Sequence, residues 1–429
     1  MPTRDKPAPQ RPKDPPMPSH APQDPRVLAA SLVAGVLSEG RMLSETPLQT
    51  QDPAARAIAR RLAQAVLRNL ARTETVLSPH LRKPPMPLVH ALLRVAVVEI
   101  LDHGQPAPQI VNAVVGALRA DRKAAPAAGM ANAVLRKAAA FEGWADLPQQ
   151  RLPGWLRRRL RNAHGEDVVQ AIEAAHRTAA PIDLTLKPGA RAPEGGTPLP
   201  GGSLRFDASV QVSALDGFAA GNWWVQDAAA ALPARLLDVR PGETVLDLCA
   251  APGGKTMQLA AAGARVTALD LSQARLARLS ENLARTGLHA EIVCADALAW
   301  TPAAPFDAVL LDAPCSATGT IRRHPDLPFL RKPADVEALV ALQTRLLDRA
   351  IGFVKPGGRL VYCTCSLLPD EGEAQIEAAL ARHPGLCTLP LPPMPFGRAT
   401  PEGGWRTRPD DHAGGIDGFY MALLGRADR

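Results

Sequence analysis

The stretch "VLDLCAAPGGKT", residues 245–256, decides the fold: a short apolar run ends in a loop of small residues, and a helical pattern opens near Thr256. A strand running through such a loop into a helix brings backbone N–H groups close to a ligand. Further along, "ARVTALD", "AEIVCAD", "FDAVLLDAPC" and "GRLVYCTC" are short β-branched or leucine runs that alternate with helical spacing. That alternation predicts βαβ units and a parallel sheet covered on both faces. From about Val225 onward the chain is therefore expected to be a Rossmann-like α/β domain.

The loop excludes two common ligands. A phosphate-cradling P-loop needs glycine five residues before Gly254, where Cys249 stands, and a dinucleotide fingerprint needs three spaced glycines, where only Gly253 and Gly254 occur. A nucleoside ligand without pyrophosphate fits better. Asp270 ends the second run and Asp296 the third, so one carboxylate is placed for ribose hydroxyls and the other for an adenine edge. S-adenosyl-L-methionine suits this arrangement. The competing reading is that both aspartates cap the turns that follow them.

Cys315 ends the fourth run and Cys365 the fifth, with Cys363 two residues inside it. Ligands of open parallel sheets bind beyond the carboxyl ends of the strands, so adjacent fourth and fifth strands bring Cys315 and Cys365 to the edge that holds the glycine loop. Packing is the expected role of Cys363, Cys294 and Cys387. Neither C-x-C nor the wide separations of the other cysteines give zinc spacing, and no metal is expected. A disulfide between Cys315 and Cys365 is geometrically open, although six cysteines in 429 residues and the lack of a secretory leader point to a reducing cytoplasm. The alternative is a thiolate nucleophile, for which Lys255, Arg322 and Arg323 could supply a stabilising field. Beside a methyl donor a thiolate has a specific use. Carbon 5 of a pyrimidine is a poor nucleophile until a thiolate adds at carbon 6, and a second group must then take the carbon 5 proton. Asp312 can hydrogen-bond the base edge during the addition.

These residues resemble the RsmB/Sun group of RNA cytosine-5 methyltransferases. "VLDLCAAPGGKT", "LDLS" at Asp270, "CAD" at Asp296, "DAPCSATGTIRRHPD" from Asp312, "YCTCSLLPDEGE" and "DGFYMALL" from Asp417 occur in the family's order across residues 225–429. The resemblance implies that Cys365 is the carbon 6 nucleophile, that Cys315 assists product release, and that Lys255 and Asp312 contact the cytosine. It further implies a methyl-donor site lined by Cys249, Ala250, Ala251, Pro252, Gly253, Gly254 and Lys255 with Asp270, Asp296 and Asp312, preceded by Gln226 and Asp227. The chain departs from the family where E-N-E is usual, with Glu371, Gly372 and Glu373, which removes one hydrogen-bonding side chain.

Upstream, residues 1–25 are rich in proline and charge, and are expected to form a disordered tail. Residues 26–145 show three- and four-residue apolar spacing and are expected to be all-α. Their "LRVAVVEIL", "QIVNAVVGALR" and "GMANAVLRK" resemble the NusB-like RNA-binding domain that precedes the catalytic domain in this family, which implies small-subunit (16S) ribosomal RNA as the substrate. A linking subdomain is expected over 146–222 and the methyltransferase domain over 223–429. The net charge of +7 permits a polyanionic partner, while 4% aromatic residues leave little room for extensive base stacking. On "WLRRRLR", Arg157, Arg158, Arg159 and Arg161 are candidate phosphate contacts, with an ordinary solvated helix face as the competing reading, as are Arg322 and Arg323 in "IRRHPD", with local salt bridging as theirs. The adjacent Trp223 and Trp224 are expected in the core. No membrane segment is expected, and the protein is expected to act as a monomer. Two rivals stay open: a noncatalytic RNA-binding assembly factor, and a methyltransferase for transfer RNA or protein.

Overall fold

The computed structural model describes residues 24–427 apart from Gln49. The expected disordered tail thus lies outside the described residues, except that Asp24 caps the first helix, α1 (Pro25–Glu39), by accepting from the Arg26 N–H. Helices α2 (Pro53–Arg68), α3 (Leu70–Leu77), α4 (Pro87–Val97), α5 (Ala107–Ala120) and α6 (Ala128–Ala139) complete an all-α domain. Leu32, Leu67, Leu77, Leu93, Ile110 and Leu135 fill its core, as their helical spacing requires. The helical spacing that continues from Pro53 to Leu77 is two helices, α2 and α3, rather than one. The break falls at Asn69, whose side-chain amide donates to the Ala65 carbonyl and competes with the helix ladder.

Two helices, α7 (Gly154–His164) and α8 (Glu166–Ala175), lead into a small antiparallel sheet of β1 (Ile182–Leu186), β2 (Thr197–Pro198), β3 (Ser203–Phe206) and β4 (Trp223–Val225), in the order β2-β3-β1-β4. Since β4 pairs with β1, this sheet runs past residue 222 into the first residues of the expected catalytic domain. Trp223 and Trp224 are buried, in keeping with a core role.

After the short helix α9 (Leu232–Leu236) come β5 (Thr244–Leu248), α10 (Gly254–Ala261), β6 (Arg265–Asp270), α11 (Gln273–Thr286), β7 (Glu291–Cys294) and β8 (Phe306–Asp312). They are followed by α12 (Leu327–Leu330), α13 (Pro333–Phe353), β9 (Val354–Thr364) and α14 (Glu373–Arg382). The last strands are β10 (Leu386–Thr388), β11 (Arg398–Ala399), β12 (Trp405–Thr407) and β13 (Phe419–Arg426). The large sheet runs β11-β12-β13-β9-β8-β5-β6-β7, with β10 also on β13. Strands β5 to β9 are parallel to their neighbours, and β13 is antiparallel to β9. The Rossmann-like fold expected from the strand–helix alternation is thus present, and β8 and β9 are adjacent. Chain direction across the sheet reverses between β5 and β8, and that switch point opens a crevice at the carboxyl ends of both strands.

Two cysteines depart from expectation. Cys363 is fully buried, but Cys294 and Cys387 are exposed, because they sit on β7 and β10 at the margins of the sheet, where no further layer covers them. Among the described residues no helix is long and apolar enough to cross a membrane, and no group of three metal-ligating side chains converges.

Candidate active site

The loop after β5 is held in an unusual backbone shape. Cys249 has φ +62°, a left-handed conformation that is costly for a residue with a side chain, and Gly253 has φ +103°, where only glycine is comfortable. Helix α10 then starts at Gly254, two residues earlier than its sequence pattern predicts. A carboxylate in mid-strand braces the turn: Asp247 Oδ2 accepts from the Thr256 hydroxyl at 2.6 Å. Its other oxygen, buried, has no partner among the described residues. Burial pushes the Asp247 carboxyl up to about 7.

Beside this loop Lys255 donates to Asp312 Oδ2 at 2.7 Å, and its ammonium lies 5.1 Å from the centre of the Phe419 ring. Burial alone would lower the lysine pKa, but Asp312 and the nearby thiols outweigh it and hold the ammonium charged. The Cys363 thiol donates to the other Asp312 oxygen at 3.5 Å. At the adjacent strand end, Cys315 Sγ lies 3.4 Å from Cys365 Sγ. Its hydrogen bond to Cys365 and its burial push the Cys315 thiol well above the usual thiol range, so it keeps its proton.

The two thiol loops share one buried carboxylate. Glu371 accepts from the Ser316 N–H at 2.8 Å, the Ser316 and Ser366 hydroxyls at 2.5 Å each, and the Gln343 amide at 3.0 Å. Ser316 follows Cys315 and Ser366 follows Cys365, so this carboxylate ties both cysteine loops together. Gly319 adds a main-chain tie by donating to the Cys365 carbonyl at 3.0 Å. Gly372, where the family has asparagine, has no room for a side chain: a Cβ there would meet the Tyr420 ring at 2.6 Å.

A cavity of about 560 Å³ opens over this group. Of the residues expected to hold a cofactor, Ala250, Ala251, Pro252, Gly254, Lys255 and Asp312 line it, together with Cys365. Cys249, Gly253, Asp270 and Asp296 do not. Asp270 is buried behind the loop, accepting from the Ala251 and Ser272 N–H groups with the Arg275 guanidinium over it, while exposed Asp296 accepts from the Leu298 N–H. Local backbone capping thus describes the present bonds of both aspartates. Asp247, which does line the cavity, escaped sequence reasoning, although a lone carboxylate inside an apolar strand is itself a signal. Gln226 also lines it, fixed by the Trp224 indole at 2.8 Å and by Gln258 at 2.7 Å.

The arginines divide. Arg322, expected to meet RNA, is 1% exposed and ion-paired with Asp227 and Asp417, so it is a core residue and cannot reach a phosphate. Local salt bridging, the competing reading for this loop, holds for Arg322 because the loop is folded against Asp417 of the C-terminal segment. Arg323 pairs with Asp417 while still lining the cavity. On α7, Leu156 and Leu160 face inward; Arg157 is held by Glu166 and Glu173, and Arg159 lies 3.8 Å from Glu337. Arg158 and Arg161 are exposed, with no ion pair among the described residues.

A glycine loop at a switch point, facing two thiols on the next strands, is the arrangement that the sequence resemblance implied. The family model described as "16S rRNA methyltransferase RsmB/F" matches residues 234–425, and the NusB family model matches residues 23–140. The ribosomal RNA small subunit methyltransferase B of Xanthomonas campestris is 38% identical, over 94% of this chain and 97% of that protein. The protein of the same name from Pasteurella multocida is 36% identical, over 93% and 95%. Among solved structures, that of PH0851 superposes with a TM-score of 0.75 at 25% identity, over 93% of this chain and 98% of its own. A methyltransferase homolog from Pyrococcus horikoshii does so with 0.53 at 28% identity, over 63% and 93%. Relatives this similar along nearly the whole length settle membership: the chain is a methyltransferase that belongs to the RsmB/F family of 16S rRNA methyltransferases and carries a NusB-type domain at its N-terminus.

Proposed function

We propose that the chain methylates carbon 5 of a cytosine in small-subunit ribosomal RNA, with S-adenosyl-L-methionine as donor and Cys365 as the nucleophile. The observation that carries this reading is Cys365 on the cavity that also holds the Lys255–Asp312 pair and the glycine loop, with the Cys315 thiol 3.4 Å from it. When bound, the donor supplies an electrophilic sulfonium methyl. The unpartnered oxygen of Asp247 suits a donor group of such a ligand, and the loop N–H groups and Asp312 complete the set on the cavity that would hold it, with Asp270 bracing the loop through the Ala251 N–H. Addition of the Cys365 thiolate at carbon 6 makes carbon 5 nucleophilic. Lys255 and Asp312 bind the base edge and offset the charge of the adduct. Once carbon 5 has gained the methyl, its proton passes to water, the electron pair left behind expels Cys365 from carbon 6 as the thiolate, and the protonated Cys315 thiol beside it assists this release by donating a hydrogen bond to the departing sulfur. The acceptor is carried over from the relatives' names, and a cytoplasmic place of action is our reading from that acceptor. Arg158 and Arg161 are available to its phosphates.

Bisulfite sequencing of ribosomal RNA with and without the gene tests the reaction. Cys365→Ala is expected to abolish the methylated cytosine, and Cys315→Ala to accumulate a protein–RNA adduct that survives a denaturing gel. Normal turnover by the Cys315 variant, with the adduct on the Cys365 variant, would reverse the two roles.

A further inference from the structure

Two further cavities of about 570 and 560 Å³ lie end to end beside the active site. The first shares Val225, Gln226, Asp227 and Arg323 with the catalytic cavity; the second shares Arg61, Gln64, Arg68 and Ala179 with the first. Together they form one groove, walled by α2 on one side and by the segment before β1 on the other. Its wall is fixed by α2, where Arg68 and Gln64 donate to the Arg322 and Arg323 carbonyls at 2.9 and 3.4 Å.

The unpaired charges of the lining are net positive. Arg61 and Arg177 are exposed and have no carboxylate partner among the described residues. Of the lining carboxylates, Asp183 is forked by Arg205, Asp227 is paired with Arg322 and Asp102 lies 4.0 Å from Arg72, so Asp207 alone pairs with no basic side chain. The groove also holds exposed apolar side chains, Ile58 at 39% and Val225 at 54%. Two free guanidiniums together with exposed apolar side chains match a nucleic-acid strand whose phosphates and base faces are both accessible. A duplex offers only its outside, and the target base must in any case leave its stack to reach the thiols.

We infer that this groove is the track of the single-stranded RNA segment flanking the target base, leading from the N-terminal domain to the catalytic cavity. The inference rests on the proposed RNA reaction but is tested without turnover. Fluorescence anisotropy would follow a labelled single-stranded oligoribonucleotide binding to the full chain, to R61E/R177E, and to R278E/R345E, a charge-matched control on exposed arginines of α11 and α13. The groove variant is expected to bind about tenfold more weakly or worse, with the slope of log affinity against log salt smaller by about 1.4, as for two lost phosphate contacts on a single strand. Equal losses in both variants, no loss in either, or a loss confined to duplex RNA would overturn the inference. A photo-crosslinking residue at Ser209, on the groove's lip, is expected to attach to the same RNA, and failure to attach would overturn it independently of any misfolding. A wild-type protein that binds in this manner yet leaves cytosine unmethylated would refute the reaction and not the groove.

Discussion

Glu371 shows how much geometry one buried side chain can set. Its two oxygens receive the Ser316 N–H, two serine hydroxyls and the Gln343 amide, so every donor faces an acceptor. In Glu371→Ala the Ser316 N–H and the Gln343 amide, which can only donate here, lose their buried acceptor, and the tie between the two thiol loops is gone. We expect kcat to fall about 100-fold, as for a small misplacement of reacting groups, with the KM for RNA unchanged. A matching loss in RNA affinity would show that Glu371 does not act through the thiols. Asp247 gives a pH prediction. Because its carboxyl is pushed up to about 7 by burial, it is mostly protonated at pH 6 and mostly charged at pH 7.5. The charged form is the better acceptor for a ligand ammonium or hydroxyl, so donor affinity by calorimetry should rise across that interval, and Asp247→Asn should flatten the rise. The residues at strand ends, Asp312, Cys315 and Cys365, were legible in the sequence, because strand order alone brings them together. Arg322 was not, since nothing local distinguishes an arginine in a surface loop from one buried against Asp227 and Asp417.

Among the elements, the loop after β8 and the segment entering β13 interlock through glycine. A Cβ on Gly319 would lie 1.9 Å from the Gly418 carbonyl oxygen, and Gly418 in turn donates to the Gly319 carbonyl at 2.8 Å. Neither backbone can yield without moving the Cys365 carbonyl to which Gly319 donates. Gly319→Ala should therefore cost about 1–3 kcal/mol, the usual range for overpacking, seen as a lower denaturant midpoint, and should reduce methylation further than the stability loss explains. Unimpaired activity in a destabilised protein would separate packing from catalysis. The alternation of strands and helices was readable because a parallel sheet buried on both faces demands continuous apolar runs. The short margins β10, β11 and β12 carry no such run, since an edge strand need not be apolar on its outer side; β7 does carry one, yet for the same reason its Cys294 is exposed and not packed.

Across the whole molecule, the N-terminal domain is built into the active site. Between Cys315 and α13 the chain makes α12, whose Phe329 and Leu330 pack against the N-terminal core, while Leu43 donates to Asp326 at 2.9 Å. On the other side of the same loop, Ile321 and Leu327 pack with Leu156 and Leu160 of α7. The segment carrying Arg323, His324 and Arg331 to the cavity is thus clamped between the N-terminal and linking domains. Burial sites shared by distant segments leave no local pattern, which is why the sequence shows a helical domain, a linking subdomain and an α/β domain and not the contacts between them. Phe329→Ala should remove part of the clamp, costing about 2 kcal/mol, below the range for a fully buried phenylalanine because Phe329 is only half buried. Limited proteolysis should then cut residues 321–331 faster than in the wild type, with methylation falling in step. If the segment stays protected and activity is lost all the same, the N-terminal domain acts on the RNA alone and not through the loop.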